Sequence, residues 1–347
     1  MSFVEDLENL GYKYPATGFI TGVLIAIGLA KLLFVGFSFS SMIISLWILP
    51  PVNFKKYGAK SGAWALVTGA TAGLGEEFAY QLASKGFNIL VLSRSQEKLG
   101  EVEKNIREKY KVDTRNFVMD VANATDSDYQ ALTDYVQDLK LSVLINNVGV
   151  SHNMPVPFSE TSTKELKSII DINNTGTLRI TQAVLPRIEN VVSKSSKERV
   201  PRGLIINMSS FAGLIPTALL ATYAGSKAFL QAWGIALGEE LKSKNIDVDN
   251  PLSFLVTSNM SKVKRTSISI PNPKNFIRAL LRNAGRRVGA QERVYASTPY
   301  WSHALMHWAI ENTVGVFSST AVSINHSMHK DIRRRALRKA ERLSKEK

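Results

Sequence analysis

From Ala63 onward, short apolar runs alternate with helical stretches, and this alternation limits the fold more than any other feature of the chain. Ala63-Trp-Ala-Leu-Val-Thr68, Asn88-Ile-Leu-Val-Leu-Ser93, Thr114–Met119, Leu141–Asn146, Leu204–Asn207 and Leu252–Val256 each predict a strand. Glu76–Gly86 and the charged stretch that ends near Lys111 predict helices between them. Strands joined by helical crossovers form right-handed βαβ units, so the pattern predicts an α/β fold with a parallel sheet.

Before this region lies a second constraint. Between Phe19 and Leu49 the only charged residue is Lys31. A helix that crosses the hydrocarbon core, roughly 30 Å thick, needs about 20 apolar residues. One tilted span, or a span plus an interfacial turn, fits this longer run; a buried soluble helix is the alternative. A cleaved signal peptide fits poorly, because Glu5, Asp6 and Glu8 occupy the place of its basic region. Pro50-Pro51 ends any helix. Lys13 is the only base before the run, whereas Lys55, Lys56 and Lys60 follow it without an acid among them. The positive-inside rule then puts the C-terminal side in the cytosol. Lys31 must snorkel or sit near an interface.

Among the 347 residues, 45% are apolar and 21% charged, ordinary values for one large α/β domain with appendages. The net charge of +14 favours anionic partners without choosing among them. With no cysteine, disulfides, thiolate metal sites and cysteine nucleophiles are excluded. Ser193–Arg199 is a polar loop. Beyond Ser258 the alternation stops. Pro271-Asn-Pro273 turns into a basic helix, Phe276–Arg287, and Tyr300–Phe317 is rich in apolar and aromatic residues. From Lys330 to Lys347 there are nine Lys/Arg against three acids. This tail is either a solvated helix or one that adheres to anionic lipid. No recognition motif accompanies the charge, so nucleic acid is not an expected partner.

The turn after the first strand is Thr68-Gly69-Ala70-Thr71-Ala72-Gly73-Leu74-Gly75. Glycines let a backbone approach a pyrophosphate, and the following helix offers free N–H groups and a positive dipole end. A tight strand-to-helix connection would show the same glycines; their place between a strand and a helix strengthens the phosphate reading. The second strand ends in Ser93-Arg94-Ser95, with no acid to hold a ribose hydroxyl. Arg94 can pair with the 2′-phosphate of NADPH.

Tyr223 and Lys227 stand four apart, on one face of a helix. A phenol ordinarily titrates near about 10, too high for an effective acid at neutral pH. A nearby ammonium stabilises phenolate and improves general acid catalysis. Alone, this pair is common. Here it lies 13 residues after Ser210, which follows a strand and so sits where parallel sheets bind ligands.

Together the glycine turn, Asn146-Asn147-Val148-Gly149, Ser210 and Tyr223-x3-Lys227 resemble the short-chain dehydrogenase/reductase family over about Ala63 to Met260. The resemblance implies a Rossmann-type doubly wound parallel sheet. It implies that Tyr223 protonates a substrate carbonyl oxygen, that Ser210 orients it, and that Lys227 binds the nicotinamide ribose and lowers the Tyr223 pKa. Asn173, in Asp171-Ile-Asn-Asn-Thr-Gly176, resembles the asparagine that holds a relay water; Asn174 competes, but the spacing to Gly176 favours Asn173. Asp120 resembles the aspartate that contacts adenine, and Asn147 the asparagine that lines the cofactor cleft. Implied contacts to NADPH are thus Val67, Gly69, Thr71, Gly73, Leu74, Gly75, Arg94, Asp120, Asn147, Tyr223 and Lys227, with no metal. There are two departures. Val148 replaces the usual alanine, a small change in volume. The usual Pro-Gly after the sixth strand is replaced by Ser253-Phe-Leu-Val-Thr-Ser258, where Val256 and Ser258 would meet the nicotinamide amide.

A narrower resemblance covers nearly the whole chain. Pro51–Gly58, His152–Pro157, Met260–Val263, Ile270–Pro273 and the segment ending at His329 are similar to fungal very-long-chain 3-oxoacyl-CoA reductases. This implies reduction of a 3-oxoacyl-CoA in the endoplasmic reticulum membrane, beside the elongase, the 3-hydroxyacyl-CoA dehydratase and the enoyl-CoA reductase. The expected organisation is a lumenal N-terminus (1–17), a transmembrane segment (18–50), a linker (51–62), a cytosolic NADPH-binding catalytic domain (63–270) and a helical, basic C-terminal extension (271–347). Rival readings are a membrane-bound reductase of steroid or sphingoid ketones, and a non-catalytic NADPH-binding scaffold, against which intact Ser210, Tyr223 and Lys227 argue.

Overall fold

Every residue of strand β1 (Trp64–Thr68) is buried, as are those of β4 (Leu141–Asn146) and β5 (Gly203–Asn207). Such strands need cover on both faces, which helical crossovers provide. The computed structural model describes residues 15–193, 200–289 and 293–345. Among them β2 (Asn88–Ser93), β3 (Thr114–Val118), β6 (Ile246–Pro251) and β7 (Ala296–Ser297) complete a seven-stranded sheet, order β3-β2-β1-β4-β5-β6-β7, with parallel pairing throughout. Side chains alternate along β1: Ala65 and Val67 join one core with Phe78, Leu82 and Ile89. Trp64 and Leu66 join the other with Leu144, Ile180 and Val184.

The helices in chain order are α1 (Pro15–Ile43), α2 (Gly73–Ser84), α3 (Gln96–Tyr110), α4 (Asp126–Tyr135), α5 (Thr163–Ile170), α6 (Thr177–Val192), α7 (Phe211–Leu214), α8 (Ala221–Lys242), α9 (Pro273–Arg282), α10 (Trp301–Thr313) and α11 (Ser319–Lys345). The expected basic helix 276–287 therefore stops earlier, at Arg282; Asn283 and Gly285, the latter with φ of 73°, break it.

Two expectations are corrected. The sixth strand is not Leu252–Val256 but Ile246–Pro251. Asp247, Asp249 and Asn250 hide its strand character, because each is held by specific partners. The Asp247 carboxylate accepts from Tyr57 (2.6 Å) and from Lys56 (3.2 Å) and pairs with Arg202. Asp249 accepts from Ser297 (2.7 Å). Nor are residues 51–62 an open linker. Val52, Phe54, Tyr57 and Ala59 are buried in the core, with Phe54 edge-on to Phe87 at 6.1 Å. Lysines between the apolar residues masked that packing.

α1 continues as a π-helical turn, Ile44–Ile48, and the pair of prolines follows. Within Gly18–Ile48, 31 residues, the most apolar stretch has a mean hydropathy of 2.2 and is 0% buried. It is long and apolar enough to cross a membrane. Its last turns dock on the domain. Met42 and Leu46 pack with Val288 and Ala304, Phe39 meets Trp308 at 4.8 Å, and the Trp308 indole donates to Ser38 Oγ (3.2 Å). Arg282 and Arg286 donate to the carbonyls of Leu49 (3.0 Å) and Pro50 (2.8 Å). The expected lumenal stretch before residue 15, Lys13 included, and positions 194–199 of the expected polar loop lie outside the described residues.

Candidate active site

Strand order reverses between β1 and β4, and their carboxyl ends open the crevice where doubly wound sheets bind ligands. Thr68, ending β1, ties the two strands together. Its hydroxyl donates to the Ile145 carbonyl (3.1 Å) and accepts from the N–H groups of Asn147 (2.9 Å) and Val148 (3.0 Å). The Asn147 amide donates back to the Thr68 carbonyl (3.0 Å). Val67, just before Thr68, is buried beneath this junction.

Gly69 (φ 64°) and Gly73 (φ 60°) adopt left-handed backbone that side chains disfavour. Gly75 has a different need: a Cβ there would lie 2.2 Å from the Gly69 carbonyl oxygen. Glycine at 75 thus lets α2 start against the turn. Ala72, which precedes α2, supplies no side-chain cap to the helix N–H groups, so they suit an anion. Thr71 bonds Ser93 (3.1 Å), which holds the turn beside the end of β2. Leu74 is half-buried against the core, and Arg94 is exposed at the end of β2. Asp120, after β3, accepts from the Ala122 N–H (3.3 Å) and the Asn123 amide (2.7 Å). Ser258 lies over the turn, 3.9 Å from where a Gly73 Cβ would be. Its loop is closed by Ser261, which donates to the Val256 carbonyl (2.6 Å).

The second group of residues meets at the ends of β4 and β5. Ser210 caps α7, accepting from the Ala212 N–H (3.1 Å). α7 packs tightly on α8, where a Cβ at Gly213 would come 2.6 Å from the Lys227 carbonyl carbon. Gln231 of α8 donates to the Ser210 carbonyl (3.1 Å). Lys227 is buried and donates to the Met208 carbonyl (2.9 Å). Asn173 belongs to a π-helical turn, Asp171–Gly176, a distortion common at functional sites. Its carbonyl oxygen accepts from the Val150 N–H (2.8 Å), and its amide donates to the Val150 carbonyl (2.9 Å) and Ser226 Oγ (3.0 Å). Asn174 instead donates to the Ser226 carbonyl (2.9 Å). A Cβ on Gly149 would sit 3.2 Å from Asn173 Oδ1 and 3.6 Å from Lys227 Nζ. Asn173, Gly149 and Lys227 therefore converge.

Electrostatics differ in one respect from the sequence expectation. Burial raises the Tyr223 pKa, and the lowering influence is the hydrogen bond from Ser210 rather than the ammonium of Lys227. Lys227 Nζ lies 5.9 Å from the Tyr223 ring centre and is engaged by Met208. Burial also pushes the Lys227 ammonium down to about 8.

Sequence reasoning missed the support under this site. Asn146 donates to Thr181 Oγ1 (2.8 Å) and Asn207 Oδ1 (2.8 Å), and Asn207 donates to Asn250 Oδ1 (3.0 Å). This buried amide ladder crosses β4, β5 and β6 one layer below Asn147 and Ser210. Asn146 and Asn207, each closing an otherwise apolar strand, were its signal; Asn250, within the polar strand β6, gave none. Among the described residues there is no cluster of side chains able to hold a metal ion.

The family model described as short chain dehydrogenase matches residues 63–268. A very-long-chain 3-oxoacyl-CoA reductase of Scheffersomyces stipitis is 54% identical over 347 residues, 100% of this chain and 99% of that one. The enzyme of the same name from Candida albicans is 52% identical over 99% of this chain and 98% of its own. Among solved structures, a short-chain dehydrogenase from Sphingobium yanoikuyae in complex with NADPH matches with TM-score 0.57 and 22% identity, over 68% of this chain and 87% of that one. A 7beta-hydroxysteroid dehydrogenase matches with TM-score 0.61 and 18% identity, over 73% and 93%. These two likenesses bear on the fold alone, but the sequence matches run through every strand from β1 to β6, and the chain belongs to the short-chain dehydrogenase family of oxidoreductases.

Proposed function

We propose that the chain reduces very-long-chain 3-oxoacyl-CoA to 3-hydroxyacyl-CoA with NADPH, as the reductive step after condensation in fatty-acid elongation. What carries this reading is the convergence of Ser210, Tyr223, Lys227 and Asn173 beside the glycine turn, in a chain more than half identical to reductases bearing that name.

The cradle fits a dinucleotide. Left-handed Gly69 and Gly73, the close approach at Gly75 and the uncapped N–H groups of α2 suit a pyrophosphate. Arg94, exposed beside Ser93 and Ser95, suits a 2′-phosphate. When bound, the cofactor supplies a hydride to the keto carbon. Charge then builds on the keto oxygen. Ser210 holds that oxygen by a hydrogen bond, and Tyr223 delivers its proton there. The Ser210 hydrogen bond also stabilises the phenolate that forms, and buried Lys227 binds the nicotinamide ribose. Asn173 orients the water through which Tyr223 regains a proton. Leu74, Asp120, Asn147, Val256 and Ser258 complete the walls of the cofactor crevice, with Val67 buried beneath them.

The reading places the apolar helix in the endoplasmic reticulum membrane through residues 18–37, the first part of the expected 18–50 segment, with the catalytic unit cytosolic. A helix of 31 residues is about 46 Å long. That exceeds the roughly 30 Å hydrocarbon core by about 11 residues. Ser38–Ile48 accounts for this surplus, since that segment docks on the domain. The tether is therefore short and stiff, which suits transfer of an insoluble acyl chain among elongase, dehydratase and enoyl reductase.

The test is NADPH oxidation by purified full-length protein with a 3-oxoacyl-CoA, a 3-oxosteroid and 3-ketosphinganine in parallel. Turnover should be fastest with the acyl-CoA. Preference for a steroid or sphingoid ketone would overturn the substrate class, and no turnover with any ketone would favour a scaffold.

A further inference from the structure

The C-terminal helix is the largest charged feature that the chemistry above leaves unused. From Lys330 to Lys345 it holds eight Lys/Arg against Asp331 and Glu341. Its first turns are not a free tail. Ala321 and the preceding Val316 pack with Phe211, Leu214 and Ile215, the helix that Ser210 caps and the residue after it.

Further along, α11 is pinned to both loops that flank Ser210 and Tyr223. Asn325 donates to Thr217 Oγ1 (2.9 Å), in the loop after α7. Arg333 donates to the Pro155 carbonyl (2.9 Å) and pairs with Glu160 (2.7 Å), in the loop that follows Asn147. These two loops are joined to each other, since the Val156 N–H donates to the Leu219 carbonyl (2.8 Å). On its other side the 152–157 loop meets a second basic segment: Lys262 donates to the Asn153 carbonyl, and Lys264 and Arg265 follow without an acid. Cations thus stand on both sides of one loop at the mouth of the site.

The cationic face continues from that anchor. A shallow groove along α11 is lined by Lys330, Arg333, Arg334, Leu337, Arg338 and Glu341. Arg333 is spent on Glu160, and Arg334 pairs with Asp331. Lys330, Arg338 and Arg342 are exposed, and none of them pairs with a carboxylate of the described residues. At about 100° per residue they occupy roughly a third of the helix circumference. We infer that this face of α11 binds the phosphate esters of the substrate's coenzyme A, so that the helix holds the polyanionic end of the thioester while its acyl end reaches Tyr223. The inference rests on the substrate class proposed above. Guanidinium and ammonium groups recognise phosphate by charge-assisted hydrogen bonds, and a cationic rim raises the local concentration of a polyanion. Lipid phosphates present the same chemistry, so the experiment must separate the two sources.

The test uses the full-length enzyme in neutral phosphatidylcholine vesicles and the triple variant K330Q/R338Q/R342Q. Two substrates with one acyl chain are compared: the 3-oxoacyl-CoA and the 3-oxoacyl N-acetylcysteamine thioester, which has no phosphate. The variant should raise KM for the CoA ester by about tenfold, with kcat held and the phosphate-free KM moved by less than about twofold. The difference should shrink at high salt. NADPH affinity serves as the check on folding. A parallel rise in both KM values would show that α11 only positions the loops, and would overturn the inference. So would an effect that emerges only when phosphatidylserine is added, which would assign the face to lipid headgroups. If the unaltered enzyme reduces neither thioester, the substrate class itself falls, and this inference with it.

Discussion

Gly75→Ala should damage the cofactor cradle even though alanine is the better helix former. The added methyl would lie 2.2 Å from the Gly69 carbonyl oxygen and 2.5 Å from the Asn147 side-chain nitrogen. A relaxed carbon–oxygen contact needs about 3.3 Å, so something must move by about 1 Å. The Gly69 backbone cannot yield freely, because its N–H donates to the Leu92 carbonyl (2.8 Å) and its φ is already left-handed. Overpacking of this kind costs about 1–3 kcal/mol. Replacing glycine inside a helix returns about 0.5–1 kcal/mol. The balance is a loss of about 1 kcal/mol, or about 2–4 °C in Tm for a domain of this size. NADPH binding should suffer more than stability, by about tenfold in Kd, because the turn that moves is the one proposed to face the phosphates. Gly73→Ala is the control with a different physical basis. Its methyl would meet nothing closer than Ser258 at 3.9 Å, so only the strain of φ 60° remains, about 1–2 kcal/mol. Thermal melts with and without NADPH, together with a fluorescence titration, read both quantities. Gly75→Ala with unaltered Tm and Kd would refute the argument that close approach, rather than helix propensity, dictates this residue.

Four further outcomes are expected. Arg94→Ala should raise the KM for NADPH far more than that for NADH; equal shifts would remove Arg94 from 2′-phosphate recognition. Tyr223→Phe should lower kcat by about 10²–10⁴-fold while NADPH still binds, and Lys227→Met should lose turnover and cofactor affinity together; near-normal turnover of Tyr223→Phe would point to Ser210 or a water as the proton source. Burial lifts the Asp249 carboxyl to about 7, well above its ordinary value near about 3.9. The folded chain therefore keeps a proton that the unfolded chain releases, and this contribution to stability is complete below about pH 4 and lost as pH rises through about 7. Tm should fall across that window, and Asp249→Asn should flatten the fall; an unchanged slope would show that Asp249 does not titrate there. Protease added to sealed microsomes should digest the catalytic unit, whereas protection that lasts until detergent is added would reverse the orientation.

Local signals carried much of the fold. Most strands of the sheet stand where apolar runs in the sequence predict them, because strands buried on both faces must be apolar at nearly every position. Ile246–Pro251 escaped for the complementary reason. Its Asp247 is half-buried and its Asp249 and Asn250 are buried, with partners from Tyr57, Arg202, Ser297 and Tyr295, and such partners are far away in sequence. The pairing that makes an acid acceptable in a central strand is a tertiary fact. Residues 51–62 escaped likewise, since lysines at the surface and Phe54 and Tyr57 in the core share one short segment.

The site divides along the same line. Sequence alone pointed to the residues that meet at the ends of β1, β4 and β5, because glycines punctuate the strand-to-helix turn and Tyr223 and Lys227 stand one helical turn apart. It also determined that Phe19–Leu49 needs an apolar environment. Only the tertiary structure decided what those groups do to one another. It put Lys227 on the Met208 carbonyl rather than on the Tyr223 hydroxyl, and it gave Asn173 its place through a π-helical turn. It clamped the end of the apolar helix between α9 and α10, and it laid the basic C-terminal helix across the two loops at the mouth of the site. Each of these depends on distances between segments tens to hundreds of residues apart, which side-chain periodicity cannot encode.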